Sequence, residues 1–393
     1  MARKDLRKPI LVTLGICALL LSVTIGFGQD VPIPDMPISC VHMTFTDTPD
    51  SMVITWRSSQ VVKDAVLKAW PARLKEQPAS GGGLITVQPV QHSFKSVRET
   101  VNVYDATLKG LEPNTAYNYV ISCAGATSPV YQFQSPLTDP EAGFTFVVMG
   151  DSRGSYPLFG KFMRMAKEAG ARFVLFTGDA TEGCTQLEWN LWFGNAADSL
   201  PYLPLMPIHG NHELAGKAYF DNFVLPGAER YYSFDFGMTH FTVIYDNTKD
   251  YIMEQIPWIK EDLAASHAPW KFFVLHKPFY ASSPDWNSAD SAKDILLPIV
   301  EAGGVSMVFS GHVHLYERSV PMLNDRPTEG GIVHQVTGGA GAPLYLWGTS
   351  RTTAKAIATE HMIVYRINKT GMAATVLAPN GSVLDEYTVT PRK

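Results

Sequence analysis

Cysteine is scarce in this chain, with four residues in 393. One of them, Cys17, lies inside an apolar run near the amino terminus. At most one bridge can form among Cys40, Cys123 and Cys184, with Cys40–Cys123 the conceivable pair, so a disulfide-stapled scaffold is excluded. Charge is also sparse, at 18% of residues, and its balance is acidic at −5. Arg3, Lys4, Arg7 and Lys8 against Asp5 contribute +3, so the remainder carries −8. No basic run occurs beyond that terminus, and nucleic acid is not an expected partner. Internal repeats and low-complexity tracts are missing, and only residues 10–25 form a long apolar run.

What is present is the composition of an ordinary globular protein, 46% apolar, long enough for two or three domains. Residues 1–28 read as an export signal, with a basic start, the apolar run, and small Gly26 and Gly28 before Gln29. The alternative is an uncleaved anchor, which would give the protein a stable membrane association. Residues 29–37 are proline-rich and read as a linker. Short alternating strands separated by turn clusters follow over 38–138, the pattern of an antiparallel β-sandwich. There Leu111, Pro113, Thr115 and Tyr117 are spaced as in the tyrosine corner of fibronectin type III domains, which this segment resembles.

From about residue 143 to 390, strands alternate with helical patterns at 158–169, 187–200, 255–266 and 291–302, which predicts an α/β layered domain. Its apolar strands end in a repeated way. Residues 144–149 run into Gly150-Asp151-Ser152-Arg153-Gly154, and 173–176 lead to Gly178-Asp179. Residues 205–208 lead to Gly210-Asn211-His212-Glu213, 272–275 to His276, and 305–309 to Gly311-His312-Val313-His314. Ligands of such sheets gather at the carboxyl ends of the strands. A set of carboxylate, amide and imidazole groups suits Fe, Zn or Mn and argues against thiolate or all-oxygen calcium sites.

These motifs, in this order, resemble the calcineurin-like metallophosphoesterases. The run His312-Val313-His314-Leu315-Tyr316-Glu317-Arg318 is similar to the last motif of the purple acid phosphatase branch. The resemblance implies a fibronectin III-like sandwich followed by an α/β domain with mixed sheets flanked by helices. It implies a dinuclear metal centre with a bridging hydroxide nucleophile, in which Asp179 bridges two ions. Asn211, His276 and His312 would complete one site, and Asp151 and His314 would belong to the other. His212 would be the general acid, with Glu213 orienting its ring.

Two positions depart from that pattern. Glu182 stands where the branch supplies a tyrosine, and Arg153 stands where related branches supply a histidine. Arg153 cannot hold a cation, but its forked donors match phosphate oxygens or a carboxylate. Glu182 is a further candidate oxygen ligand. Gly338–Pro343 reads as a tight loop beside the site, with a phosphate cradle as the alternative. The expectation is a secreted or periplasmic phosphoesterase acting on a small phosphorylated substrate. The rival is an exported binding module whose incomplete metal site is only structural.

Overall fold

The computed structural model describes residues 36–96, 100–213 and 217–392. The export-signal reading falls on residues outside these. Among the described residues no helix is long and apolar enough to cross a membrane.

The first part is an antiparallel β-sandwich. One sheet orders Ser39–Phe45, Met52–Ser58, Thr100–Leu108 and Val90–Lys95. The other is built around Val66–Pro71 and Ala116–Cys123. Alternating side chains fill the space between them. Trp56, wholly buried, stacks on Tyr104 at 5.5 Å. The Tyr117 hydroxyl accepts the Glu112 N–H at 3.0 Å, which closes the tyrosine corner. Cys40, Cys123 and Cys184 are all free thiols, so the conceivable Cys40–Cys123 bridge is not formed.

The sandwich packs into the following α/β domain rather than beside it. Phe45 contacts the rings of Phe173 and Phe236 at 5.5 and 5.4 Å. Arg57 donates to the Asn190 side chain at 2.8 Å, and Tyr119 donates to the Pro201 carbonyl at 2.8 Å. One hydrophobic core joins Val41 and Trp56 of the sandwich to Phe173, Phe241 and Val389 beyond it.

The α/β domain has two mixed sheets packed face to face. The first has six strands, in the order Leu205–Pro207, Val174–Phe176, Phe144–Met149, Met362–Ile367, Met372–Leu377 and Val383–Val389. The second has seven and runs from Tyr232–Phe236 through Thr239–Val243, Trp270–Val274, Met307–Ser310 and Val333–Thr337 to Tyr316–Ser319 and Thr353–Ile357. The strand period of two decides which side chain enters which layer. Phe272 meets Phe146 of the opposite sheet, whereas Phe273 points outward into a cluster with Ile259, Leu263 and Leu296. Those last residues belong to the helices Lys249–Ala265 and Lys293–Ala302. Tyr156–Glu168 and Gln186–Asn195 cover the other sheet, where Phe159 stacks on Trp192 at 4.3 Å.

Helix ends differ from the sequence reading for local reasons. The third long helix starts at Lys249, six residues before the expected 255, because the Thr248 hydroxyl caps it by accepting the Tyr251 N–H. The helix expected over 187–200 stops at Asn195, and residues 196–200 continue only as turns.

His240, at the start of the second sheet, lies between two carboxylates, 2.7 Å from Asp235 and 2.9 Å from Asp262. Burial alone would lower its pKa, but the two carboxylates outweigh it and raise the value to about 9. Asp262, 9% exposed, carries most of this, since water screens the 71%-exposed Asp235. A raised histidine stabilises fully below its unfolded value near 6.5 and loses that contribution as pH rises through its folded value. Stability should therefore fall between about pH 6.5 and 9, by at most roughly 3 kcal/mol. Chemical denaturation of His240→Asn should show a flatter profile across that window. An unchanged slope would remove His240 as its source.

Candidate metal centre

The parallel strands of both sheets end at one edge, and the polar strand ends meet there. Phe144–Met149, Val174–Phe176 and Leu205–Pro207 run parallel and deliver Asp151, Asp179 and Asn211. Trp270–Val274 and Met307–Ser310 run parallel in the other sheet and deliver His276 and the His312/His314 pair. Three of these residues hold left-handed backbone, Asp151 at φ 61°, Asp179 at 55° and His312 at 65°. Such conformations are costly away from glycine and are kept where the surroundings enforce them. The neighbouring glycines are required by close approach. A Cβ on Gly210 would collide with the Asp179 carboxylate, and one on Gly311 with that of Asp151.

Two groups of ligand atoms result, Asp179 with His276 and His312, and Asp151 with Asp179 and His314. Within each group the atoms lie within 4.8 Å of one another. Asn211 Oδ1 joins the first, 3.0 Å from His276 Nε2 and 2.7 Å from His312 Nδ1. Asp179 belongs to both groups. Its Oδ1 accepts the His212 N–H at 2.9 Å, but its Oδ2 is buried with no hydrogen-bond partner. A buried carboxylate oxygen left unpaired is costly, and a cation at the centre would satisfy it. The donor set therefore fits metal ions.

The imidazoles are oriented from behind. His276 Nδ1–H donates to the Thr177 carbonyl and His314 Nδ1–H to the Pro343 carbonyl, both at 2.8 Å. That leaves Nε2 of each facing the centre, the arrangement expected of metal-binding histidines. Burial depresses His312 to about 2 and His314 to about 4, so both present lone pairs. Burial would also lower His276, but the Asp179, Asp151 and Asp246 carboxylates outweigh it and hold its pKa at about 10. Burial pushes the Asp151 carboxyl well up. It opposes ionisation of Asp179 too, yet His276 and the His212 N–H bring that group below its usual range.

Glu213 does not orient the His212 ring as expected. It is buried, and its carboxylate accepts three backbone N–H groups, those of Asp179, Ala180 and Gly210. It therefore clamps the two ligand loops to each other. The His212 ring is held by another group, donating Nδ1–H to the Glu182 carbonyl at 2.6 Å. Glu182 also grips Arg153 through two bonds of 2.8 Å, and Arg153 Nη1 lies 3.3 Å from His314 Nε2. So Arg153 forms the carboxylate pair that sequence left as an alternative, with its remaining donor directed at the second ligand group.

The glycine-rich loop at 338–343 is not an open phosphate cradle. The Gly338, Ala340 and Ala342 N–H groups go to the carbonyls of Leu315, Gly150 and Asp151. The loop thereby pins Asp151. Tyr316 and Arg318 both donate to Asp385, and buried Glu317 accepts from Ser282 and Thr353, so this trio packs beneath the site. Sequence reasoning missed Asp246, whose carboxylate accepts the His276 and Lys277 N–H groups. The available signal was the same as elsewhere, an apolar strand running on through Ile244 and Tyr245 into an acidic residue. It also missed Tyr345, whose ring lies 4.3 Å from that of His314. A cavity of about 460 Å³ lined by Pro321, Gly331, Val333, Thr388 and Arg392 lies elsewhere and contains no metal-ligating group.

Residues 144–316 match the calcineurin-like phosphoesterase family, and residues 38–135 match the purple acid phosphatase N-terminal domain. Purple acid phosphatase 15 of Arabidopsis thaliana is 27% identical over 289 residues, 61% of this chain and 53% of that protein. Phosphoenolpyruvate phosphatase of Allium cepa is 26% identical over 288 residues, 64% and 58% of the two chains. The chain thus matches little more than half the length of these relatives. The solved structure of purple acid phosphatase PPD1 from yellow lupin superposes with a TM-score of 0.79 at 19% identity. That superposition covers 90% of this chain and 74% of the lupin chain, a likeness of fold.

Proposed function

Since the chain belongs to the calcineurin-like phosphoesterases, in the purple acid phosphatase-like branch, we propose that it is an exported metal-dependent hydrolase of phosphoric esters, monoesters in preference to diesters. The observation that carries this reading is the unpartnered Asp179 Oδ2, buried where the two ligand groups share a residue. Asp179, Asn211, His276 and His312 would hold one ion, and Asp151, Asp179 and His314 the other. Bound there, Fe, Zn or Mn ions supply a water of lowered pKa as nucleophile and positive charge for the phosphoryl oxygens.

The remaining steps fall to the chain itself. With Nδ1–H committed to the Glu182 carbonyl, His212 keeps Nε2 free to give a proton to the leaving oxygen. Its side chain is 23% exposed, which suits a group that must regain a proton from water. Arg153, fixed by Glu182, has Nη1 directed toward the centre, where a phosphoryl oxygen would be an alternative acceptor to His314. Glu213 acts through the ligand loops it joins and touches no reacting atom.

The binding-module reading has one observation in its favour. Arg153 already engages the His314 lone pair that an ion of the second group would need. Metal-loaded protein assayed with 4-nitrophenyl phosphate and its bis-ester separates the readings. Release from the monoester, faster than from the bis-ester, is expected. No release from either, across Zn, Mn and Fe, would leave only the binding module. Export rests on the basic and apolar amino-terminal sequence. Mass spectrometry of native protein should find its terminus near Gln29, and an intact Met1 would count against cleavage.

A further inference from the structure

The histidines of the last motif each carry an aromatic ring on one side. Trp286 meets His312 edge-on at 5.1 Å, and Tyr345 lies against His314 at 4.3 Å. Both rings are only partly buried. They sit on separate loops that are tied to each other, the Leu346 N–H donating to Asp285 at 3.0 Å and the Ser282 hydroxyl to the Gly348 carbonyl at 2.8 Å. Glu317 anchors the first loop from below by accepting the N–H of Ser282 at 2.7 Å. Between these ties Leu346 and Trp347 are 68% and 55% exposed. Large apolar side chains exposed on the loop that carries Tyr345 mark a candidate binding surface.

We propose that Trp286, Tyr345 and Trp347 form a subsite for the leaving group, selecting phosphoesters of planar aromatic alcohols. The inference rests on the phosphoester-hydrolase reading of the adjoining centre. Arg153, with any ions held by the ligand groups, would offer cationic partners for a phosphoryl head, and the rings adjoining His312 and His314 offer a wall for a flat apolar tail. One ligand matches both halves, an anion joined to an aromatic ring. Ring-on-ring contact and loss of exposed apolar surface would favour it over an alkyl ester.

Phenylphosphonate and methylphosphonate test this without chemistry, because neither has an ester bond to break. Calorimetric titration of metal-loaded protein should show phenylphosphonate binding roughly tenfold more tightly. In Trp286→Ala and Tyr345→Ala that preference should shrink toward one, while Trp286→Phe and Tyr345→Phe keep most of it. The ratio cancels damage to the metal centre common to both ligands. Trp347→Ala, at an exposed position, should fold normally and lose part of the preference. Equal affinities in the wild type would overturn the subsite and leave the hydrolase reading intact. Failure of both phosphonates to bind would overturn both readings. If a second copy of the chain covers this rim instead, Trp347→Ala would shift sedimentation to a smaller species and leave the ratio unchanged.

Discussion

Replacing His212 by alanine should slow hydrolysis of an alkyl phosphate by roughly 10²–10⁴ and that of 4-nitrophenyl phosphate by much less. The difference follows from what the imidazole is placed to do. An alkoxide leaves poorly unless protonated as the bond breaks, whereas 4-nitrophenolate leaves readily unaided. The substitution is mild elsewhere. The tie from this segment to Asp179 runs through the His212 backbone N–H, which alanine retains. Glu213, which fastens the ligand loops, is untouched. Metal content should therefore stay as in the wild type. Equal losses for both esters, or loss of metal, would mean that His212 serves the centre in another way.

Asp179→Asn should cost both metal equivalents at once. Outer-shell changes reduce metal affinity by about 10–100-fold, and removal of a shared ligand should exceed the upper end of that range. Asparagine tolerates the left-handed backbone that Asp179 adopts at φ 55°, so the loop need not move. Its amide then has one acceptor oxygen. If that oxygen keeps the His212 N–H, the NH₂ group takes the place of Oδ2 and points donors at the cation position. Asp151→Asn, by contrast, should affect only the group completed by His314. Titration with Zn or Mn followed by calorimetry distinguishes the two. A tight equivalent surviving in Asp179→Asn would show that the carboxylate is not shared.

The legible parts of this site are those that a single strand carries to its own end. Gly150-Asp151, Gly178-Asp179, Gly210-Asn211-His212 and Gly311-His312 each follow a short apolar run, and parallel strands have no choice but to deliver such ends to one edge. Opposition between segments was not legible. Glu213 reads as a neighbour of His212, yet its carboxylate is spent on backbone N–H groups 33 and 34 residues away in sequence. Tyr345 reaches His314 only because the chain returns through the strand Val333–Thr337 and a glycine loop pinned to Gly150 and Asp151. No periodicity announces that return. The Arg153–Glu182 pair lies between, since forked donors and a nearby acid suggest pairing, but only three dimensions set them 2.8 Å apart.

The way Phe45 and Trp56 join the same core as Phe173 and Phe241 also governs how the molecule comes apart. Detaching the sandwich would uncover Phe173 and Phe236 and strand the Arg57 guanidinium away from Asn190. The sandwich, which carries no ligand residue, therefore cannot unfold alone at low cost, and the two parts should share one cooperative transition. Opening the sandwich would also remove the Phe45 ring from Phe173, just before the strand that delivers Asp179, so the persistence of the metal centre should depend partly on a domain that supplies none of its ligands.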